Sequence, residues 1–500
     1  MTTDLEKGDR AAELIYLIPC DHQKRVCFSS RWRWGDLVEI LGKRRDDVFV
    51  QVLDVAGIVG ANYSGWREEN QDSGDGTASL TASSEGGILV YCRWSEVAPL
   101  RKELAKAGYE EVSVYGLSPG VNDPRLAVPV STNKISAGAL VLYQPSLRRA
   151  KLRKLAAYGM SRLGLTRVWA PVAMVAGRTG GASGGGIVSV VRREMGAMAS
   201  IALFTGTPGP QRKATFAILG PRGEALGFGK IASTPATRAL IRNEVKMLRR
   251  LETAGMGPEQ VPRLLVEGRL EDGAEFVIQS TVKKPLVART TRIGDVQARF
   301  LVDLFERTKA VDPDRGRAIF EDLSGRVGRL AACEAGRGRE LVRQGLAQSA
   351  SCLDFGRIPV VLAHGDFTAW NSFPTHHGLF VFDWELGREA WYPMADAFHY
   401  VIQKCLFVER RSARELFARM VQHDHSPEGR GIHRLLGEMA LPKELLMPLL
   451  ILYLCDVYTA YATRTEAGGE KSDRDVKRLL DFWLGMLEQA VEAEVVGAAA

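Results

Sequence analysis

Residues 360–383 constrain this chain more than any other stretch of its sequence. Apolar residues lead into HGD, four residues separate Asp366 from Asn371, and a second apolar run ends at Asp383. The pattern predicts a strand, a loop and a strand, with these three polar side chains at strand ends. A phosphoryl-transfer site needs one carboxylate for the proton of the acceptor hydroxyl, and an amide and a second carboxylate as metal ligands. The alternative interpretation is a hairpin whose Asp and Asn side chains only stabilise turns.

The segment HGDFTAWN followed by FVFDWE resembles the catalytic core of the aminoglycoside phosphotransferase and choline kinase-like group, small-molecule relatives of the protein kinases. The resemblance implies that Asp366 is the catalytic base and that Asn371 and Asp383 are Mg²⁺ ligands. It also implies that His364 is a structural residue of the catalytic loop, and that Asp396 is a structural carboxylate holding that loop.

The same resemblance implies an α+β fold with a bilobal, protein kinase-like arrangement. A β-rich N-lobe is expected over residues 191–283 and a helical C-lobe over 284–495. A separate, truncated α/β domain is expected over residues 1–175, followed by a glycine-rich linker over 176–190. The linker glycines lack a following Lys-Ser or Lys-Thr, so they do not form a P-loop.

Two charged side chains interrupt apolar faces in the predicted N-lobe. Lys230 lies on the apolar face of its third strand, and Glu244 lies among leucines on a helix. That helix is expected to begin with Thr234 as its cap and Pro235 at its first position, and to run to about Ala254. A carboxylate on an apolar stripe is costly unless it is paired. We therefore predict a Lys230–Glu244 ion pair that positions the nucleotide phosphates.

Other nucleotide contacts are predicted from position in the N-lobe. Gly206 and Gly209, in the sequence GTPG, are placed where a loop over the phosphates would lie, with an ordinary turn as the alternative. The hinge between the lobes is expected at Gln279, Ser280 and Val282, where backbone groups would bind the adenine.

Residues 45–130 include a predicted strand (GGILVYCRW), helix (SEVAPLRKELAKAGY) and strand (EEVSVYGLSPG). This portion resembles the last strand–helix–strand segment of class I S-adenosylmethionine-dependent methyltransferases. About 26 residues separate Gly60 from Gly86, too few for the rest of a complete nucleotide-binding sheet. We expect a degenerate domain that no longer binds this cofactor; the alternative is a domain that still methylates.

Two helical segments bear on membrane contact. Residues 146–163 are predicted to form a basic amphipathic helix, interpreted as a solvated face linking two domains rather than a contact with a membrane surface or an acidic partner. The apolar stretch over residues 445–460 contains Pro448 and Asp456, so it is interpreted as a buried helix and not a transmembrane span.

Composition limits the remaining possibilities. A net charge of +7 is too dilute over 500 residues to indicate nucleic-acid binding, though it favours anionic ligands such as nucleotides. Seven cysteines form no CxxC pair, and the first residues do not resemble a signal peptide. A cytoplasmic protein with reduced thiols is therefore expected.

These observations predict an ATP- and Mg²⁺-dependent kinase that transfers the γ-phosphate to a hydroxyl of a small molecule, such as a sugar, an amino alcohol or an aminoglycoside-like compound. HGD in place of HRD, and Trp384-Glu385 in place of the Phe-Gly of DFG, imply a small-molecule acceptor by resemblance. Glu385 is open to a metal or a structural role, and a metal role is not expected of His376 and His377. The alternative function is a catalytically weak nucleotide-binding scaffold that acts through its N-terminal domain.

Overall fold

The computed structural model describes residues 14–17, 24–29, 48–53, 87–119, 125–145, 148–179, 186–206, 212–287, 292–329, 336–422, 425–466 and 473–499. The chain divides into two compact units. Residues 1–241 and 264–287 form the first unit, and residues 242–263 and 288–500 form the second.

In the described part of the first unit, eleven strands form one sheet. They are β1 Lys24–Ser29, β2 Val48–Leu53, β3 Gly87–Cys92, β4 Tyr109–Ser118, β5 Leu126–Pro129, β6 Val172–Thr179, β7 Ser200–Phe204, β8 Ala214–Leu219, β9 Ala225–Ala232, β10 Leu264–Arg269 and β11 Glu275–Ser280. Their order across the sheet is β10-β11-β9-β8-β7-β5-β4-β6-β3-β1-β2. Strand β1 pairs in parallel with β2 and β3, and the other pairs are antiparallel.

This continuous sheet differs from the predicted domain boundaries. Strand β5 pairs with β7, so the strands predicted for the N-lobe continue directly into those predicted for the separate N-terminal domain. The predicted linker over 176–190 includes the end of β6 and the start of a helix at Gly186. The physical reason is burial: Val175 and Ala176 of β6, and Ile187 of the helix, are fully buried despite the glycines between them.

The helices of the first unit range from four to fifteen residues. They are α1 Val97–Lys106, α2 Asn133–Gly138, α3 Arg148–Arg162, α4 Thr166–Trp169 and α5 Gly186–Met195, with 3₁₀ turns at Leu14–Leu17, Trp94–Glu96 and Ala139–Val141. The predicted strand–helix–strand order around residue 100 is confirmed by β3, α1 and β4. Antiparallel β6 lies between those two strands, which the local sequence pattern does not indicate.

Helix α6, Pro235–Thr253, spans the division between the units. Its predicted start is confirmed, because the Thr237 N–H donates to Thr234 Oγ1 over 3.2 Å.

The second unit is mainly helical. Its helices are α7 Asp295–Thr308, α8 Pro313–Gly328, α9 Gly336–Cys352, α10 Ala395–Lys404, α11 Ala413–Phe417, α12 Pro427–Glu438, α13 Leu446–Glu466 and α14 Asp473–Ala499. There are 3₁₀ turns at Trp384–Leu386 and Lys443–Leu445, and π-helical turns at Cys405–Glu409 and Ala418–Gln422. Two small antiparallel pairs interrupt the helices: β12 Val361–Ala363 with β15 Arg388–Trp391, and β13 Ser372–Thr375 with β14 Gly378–Val381.

The α+β class, with a β-rich part followed by a helical part, is therefore confirmed. Among the residues described, the segment Lys443–Thr463 is long and apolar enough to cross a membrane, but 78% of its most apolar window is buried within the protein. Such burial is what the core helix of a folded domain requires, in agreement with the predicted buried helix.

Candidate active site

The loop that carries Asp366 follows β12 and is held by Asp396. The His364 N–H donates to Asp396 Oδ2 over 2.7 Å, and the Gly365 N–H donates to Asp396 Oδ1 over 3.0 Å. Gly365 has φ +78°, and a Cβ there would lie 2.2 Å from the Leu386 carbonyl oxygen, so no larger residue fits. The carboxylate at the start of α10 therefore fixes the backbone one residue before Asp366, the role that the resemblance implied.

His364 is fully buried and supports the same loop from the other side. Its Nε2 lies 3.0 Å from the Phe382 carbonyl oxygen, and its Nδ1 accepts the Asp366 N–H over 3.2 Å. Because a carbonyl only accepts and an amide N–H only donates, the ring is neutral with its proton on Nε2. His364 thus joins the Asp366 loop to the strand end that precedes Asp383.

The Asp366 carboxylate is oriented by two side-chain donors. Asn371 Nδ2 donates to Oδ2 over 2.8 Å, and His399 Nε2 lies 3.0 Å from Oδ1. The Asp366 side chain is still 34% exposed. An ionised carboxylate offers about four lone-pair directions, so two hydrogen bonds leave room to accept a substrate proton.

His399 and Tyr453 extend this arrangement into the protein. His399 Nδ1 lies 3.0 Å from Tyr453 Oη, and both residues are buried. Burial raises the pKa of Tyr453 well above its usual value, so the phenol stays protonated and its O–H can donate a hydrogen bond to Nδ1. Because the Asp366 carboxylate only accepts hydrogen bonds, His399 Nε2 is the donor in its contact with Oδ1.

Sequence reasoning missed this chain of hydrogen bonds. The available signal was the spacing of Asp396 and His399, which are three apart on α10 and therefore share a helix face. Tyr453 lies 54 residues beyond His399, and no local pattern connects the two.

Asn371 and Asp383 are brought together by the β13–β14 hairpin. Ser372 pairs with Val381, and the Phe382 N–H donates to the Asn371 carbonyl over 3.0 Å, so Asp383 follows directly after this contact. The Asn371 Nδ2 is used by Asp366, which leaves its Oδ1 as the atom suited to a metal. Asp383 has φ 72° and ψ 57°, a left-handed conformation that is uncommon outside glycine and is often found at functional sites.

Three carboxylates, which we call the carboxylate cluster, meet beside this hairpin. Ligand atoms of Glu244, Asp383 and Glu385 all lie within 4.8 Å of one another. Asn243 fixes the arrangement, because its Nδ2 donates to the carbonyl oxygens of Glu385 and Gly387, each over 2.9 Å. An all-oxygen donor set suits Mg²⁺, so the residues present fit the metal that the motif implies.

In a second group, which we call the cysteine–glutamate cluster, the possible ligand atoms also lie within 4.8 Å of one another. It consists of Cys405, Glu409 and Glu428. Lys404 Nζ lies 2.6 Å from Glu409 and 3.0 Å from Glu428. Burial raises the pKa of the Cys405 thiol to about 12, so it remains protonated and a poor metal ligand.

The other residues predicted to contact the nucleotide lie in the first unit. Lys230 is buried in the middle of β9, paired with Thr215 and Val277 of the neighbouring strands. Gly206 has φ +81°, and a Cβ there would lie 2.6 Å from the Lys213 carbonyl oxygen. Gln279, which is buried, and Ser280 end β11, and Val282 is exposed just after it. Gly209 lies outside the described residues.

Lys230 belongs to the first unit and Glu244 to the second. Their ion pair stays a prediction, as do the roles of the glycines and of the hinge residues.

No protein-family model matches this sequence, and no curated protein matches it significantly. Several solved structures are similar. The GDP complex of a point mutant of aminoglycoside 2'-phosphotransferase-IIIa shares 14% identity with a TM-score of 0.40, over 60% of this chain and 94% of that chain. A thermostable mutant of aminoglycoside phosphotransferase APH(4)-Ia, in its apo form, shares 11% identity with a TM-score of 0.39, over 61% and 97%.

The amicoumacin kinase hAmiN, in complex with AMP-PNP, Ca²⁺ and Ami, shares 11% identity with a TM-score of 0.39, over 59% of this chain and 88% of that chain. These structures are small-molecule phosphotransferases, the class that HGDFTAWN and FVFDWE resemble. Since their TM-scores are 0.40 or lower, the function is inferred from the side chains of this chain.

Proposed function

We propose that this protein is an ATP- and Mg²⁺-dependent phosphotransferase that moves the γ-phosphoryl group to a hydroxyl of a small molecule. The observation that carries the proposal is the position of Asn371, which donates to Asp366 on one side and adjoins Asp383 of the carboxylate cluster on the other. Asn371 thereby connects the carboxylate that would act as base for the acceptor hydroxyl to the oxygen atoms that would bind the metal.

The residues would divide the work as follows. Asp366 accepts the proton of the acceptor hydroxyl, held in orientation by Asn371 and by His399. Asn371 Oδ1 and the Asp383 carboxylate would hold Mg²⁺, with Glu385 close enough to assist. Bound there, Mg²⁺ would offset negative charge on the nucleotide phosphates.

The surroundings of Asp366 favour a particular kind of acceptor. Trp370, between Asp366 and Asn371, lies edge-on to Phe407 with ring centroids 6.4 Å apart, and Phe407 is 48% exposed. Of the five basic side chains in residues 404–419, Lys404, Arg411 and Arg419 form ion pairs with Glu409, Glu415 or Glu428. A partly exposed aromatic pair suits a hydroxyl compound with an apolar face better than a fully polar polycation.

The proposal is tested by a product-identifying screen. The full-length protein is incubated with ATP and with sugars, amino alcohols or aminoglycosides, with and without Mg²⁺, and the products are identified by mass spectrometry. We expect Mg²⁺-dependent addition of one phosphate to an acceptor, lost in Asp366→Asn and retained in the matched control Asp481→Asn, whose side chain is exposed on α14.

ATP binding without transfer to any acceptor class would contradict the proposal and favour the nucleotide-binding scaffold instead. A polycationic aminoglycoside as the best acceptor would leave the reaction in place and contradict the assignment of the acceptor class.

A further inference from the structure

The longest stretch of this chain without an acidic residue lies in the first unit. From residue 124 to residue 193 there is no Asp or Glu, while Lys and Arg together number twelve. The whole chain has a net charge of +7, so the other 430 residues together have a charge of −5. The positive charge of the protein is therefore concentrated in this segment.

Within this segment, helix α3 shows leucines on the side that faces away from the protein. At about 100° per residue, Lys154, Ala157 and Ser161 fall on one face, and all three are buried. Leu152 and Leu155 fall on the opposite face and are 66% and 53% exposed. The helix therefore packs against the protein through Lys154, Ala157 and Ser161, and its two leucines are exposed to solvent.

The exposed apolar surface continues past the end of α3. Leu163, Leu165 and Val168 follow it, and their exposed fractions are 76%, 40% and 61%. Single exposed apolar residues are ordinary, but five within seventeen positions are a concentration that favours an interaction site.

Basic residues are interspersed along the chain with these five apolar residues. Among the side chains described in the two helices, Arg149, Lys151, Arg153, Arg162 and Arg167 are exposed. Exposed leucines flanked by lysine and arginine, with no carboxylate nearby in the sequence, supply the two attractions that hold peripheral proteins on anionic membranes, apolar insertion and contact with lipid phosphates. The apolar side chains enter the boundary between head groups and acyl chains, and the long basic side chains reach the phosphates.

We propose that the surface formed by α3 and α4, residues 149–168, docks this protein onto a membrane that contains anionic lipid. The sequence pattern alone favoured a solvated face between two domains, and the exposure of the leucines is what changes that interpretation. Nucleic acid fits the surface less well, because bases stack on aromatic side chains and the exposed apolar groups here are aliphatic. The proposal does not depend on the phosphotransferase activity.

Co-sedimentation of the full-length chain with vesicles tests this surface directly. Vesicles of phosphatidylcholine alone are compared with vesicles that also contain phosphatidylserine. We expect binding to the anionic vesicles only. This binding should weaken as the salt concentration is raised, because salt screens the attraction between the basic side chains and the anionic head groups.

Two variants separate the apolar from the ionic contribution. Leu152→Gln with Leu155→Gln is expected to weaken binding at least about 10-fold, because two inserted side chains are lost. Arg149→Glu with Lys151→Glu is expected to weaken it at least about 20-fold, since each cation near the surface contributes about fivefold. All four side chains are exposed, so the fold is retained, which circular dichroism verifies.

Matched controls change equally exposed residues elsewhere. Met198→Gln with Val311→Gln removes two apolar side chains that are 74% and 62% exposed, and Arg222→Glu with Arg357→Glu reverses two exposed charges. Both control proteins are expected to bind anionic vesicles as the wild type does.

Three outcomes would overturn the proposal. These are no binding of the wild type to anionic vesicles, equal loss in the control proteins, or full binding by the leucine variant when the charge variant has lost it. The last result would mean that the surface attracts anions without inserting into lipid, as a site for an acidic protein would.

Discussion

The carboxylate cluster and the cysteine–glutamate cluster, both in the second unit, have similar distances and different chemistry. Each brings three possible metal ligands within 4.8 Å. In the cysteine–glutamate cluster, protein cations already supply the compensating charge: Lys404 contacts both glutamates, Arg419 Nη2 lies 2.7 Å from Glu428, and Arg411 Nε lies 2.6 Å from Glu409. The cluster is therefore a salt-bridge network.

The carboxylate cluster has different neighbours. The Asp383 backbone has a left-handed conformation and follows the hydrogen bond from the Phe382 N–H to the Asn371 carbonyl. The side-chain amide of Asn371 in turn donates a hydrogen bond to Asp366. The comparison teaches that closeness of carboxylates does not define a metal site. What separates the two clusters is the connection of one of them to a partly exposed carboxylate that can accept a proton.

The largest expected effect is on Asp366 itself. Asp366→Asn keeps the size of the side chain and removes its basicity, so kcat is expected to fall about 10³-fold or more, with nucleotide affinity nearly unchanged. Turnover with the acceptor found by screening, and calorimetric titration with ATP, measure the two quantities. Wild-type turnover in this variant would show that another group accepts the proton.

A smaller effect is expected at the proposed metal ligands. Asp383→Asn is expected to lower kcat about 10²-fold and to raise the Mg²⁺ concentration needed for half-maximal activity, because one charged ligand is lost. Glu385→Gln should shift the Mg²⁺ dependence in the same direction and by less. Magnesium titrations of activity, with Glu428→Gln as the variant from the cysteine–glutamate cluster, check the contrast. An equal shift in Glu428→Gln would contradict the distinction between the clusters.

The third effect concerns His399, a positioning residue that acts through Asp366. His399→Leu removes the donor to Asp366 Oδ1 and is expected to lower kcat about 10- to 100-fold, with KM for ATP unchanged. His399→Gln, which can still donate, should recover most of the loss, and Tyr453→Phe should cost only a few-fold. A merely structural role predicts instead that both His399 variants lose activity in proportion to their loss of thermal stability.

Local patterns in the sequence account for the hairpin and its polar residues. The contact between Asp366 and Asn371 spans five positions, and the cap at Thr234 spans three, so neighbouring residues determine both. The bond between Asp366 and His399 spans 33 positions and depends on how α10 packs, which periodicity does not encode.

The continuous sheet and the outer face of α3 show the same limit. The pairing of β5 with β7 joins residues about 80 apart, and an apolar alternation does not say which strand will be the neighbour. The pattern of α3 predicted a helix, but small and mixed residues face the protein, while leucines and cations share the other side. The helix is confirmed, but the prediction that it is amphipathic is wrong, because its leucines and most of its cations are exposed on the same side.

The smallest expected effect on activity, and the largest on stability at neutral pH, lies in the cysteine–glutamate cluster. Burial raises the pKa of Glu428, but hydrogen bonds from Arg419 and Lys404 outweigh it and lower the pKa to about 2. A carboxyl with a depressed pKa stabilises the folded state above its unfolded pKa of about 4.3, and that stabilisation is lost as pH falls toward the folded value.

Glu428→Gln should therefore leave kcat unchanged and reduce the free energy of unfolding at pH 7 by about 2–4 kcal/mol, since the cations keep only part of their partners. Denaturant unfolding of wild type and variant, repeated between neutral pH and the lowest pH at which both stay folded, measures the difference. The difference in the free energy of unfolding between wild type and variant should be constant above about pH 5. It should narrow below that pH as the wild-type carboxylate becomes protonated. The control Glu415→Gln, which breaks an exposed pair with Arg411 in the same region, should cost less than about 1 kcal/mol. A difference that widens on acidification would mean that Glu428 is not held as an anion by its neighbours, and would contradict the description of the cysteine–glutamate cluster as a salt-bridge network.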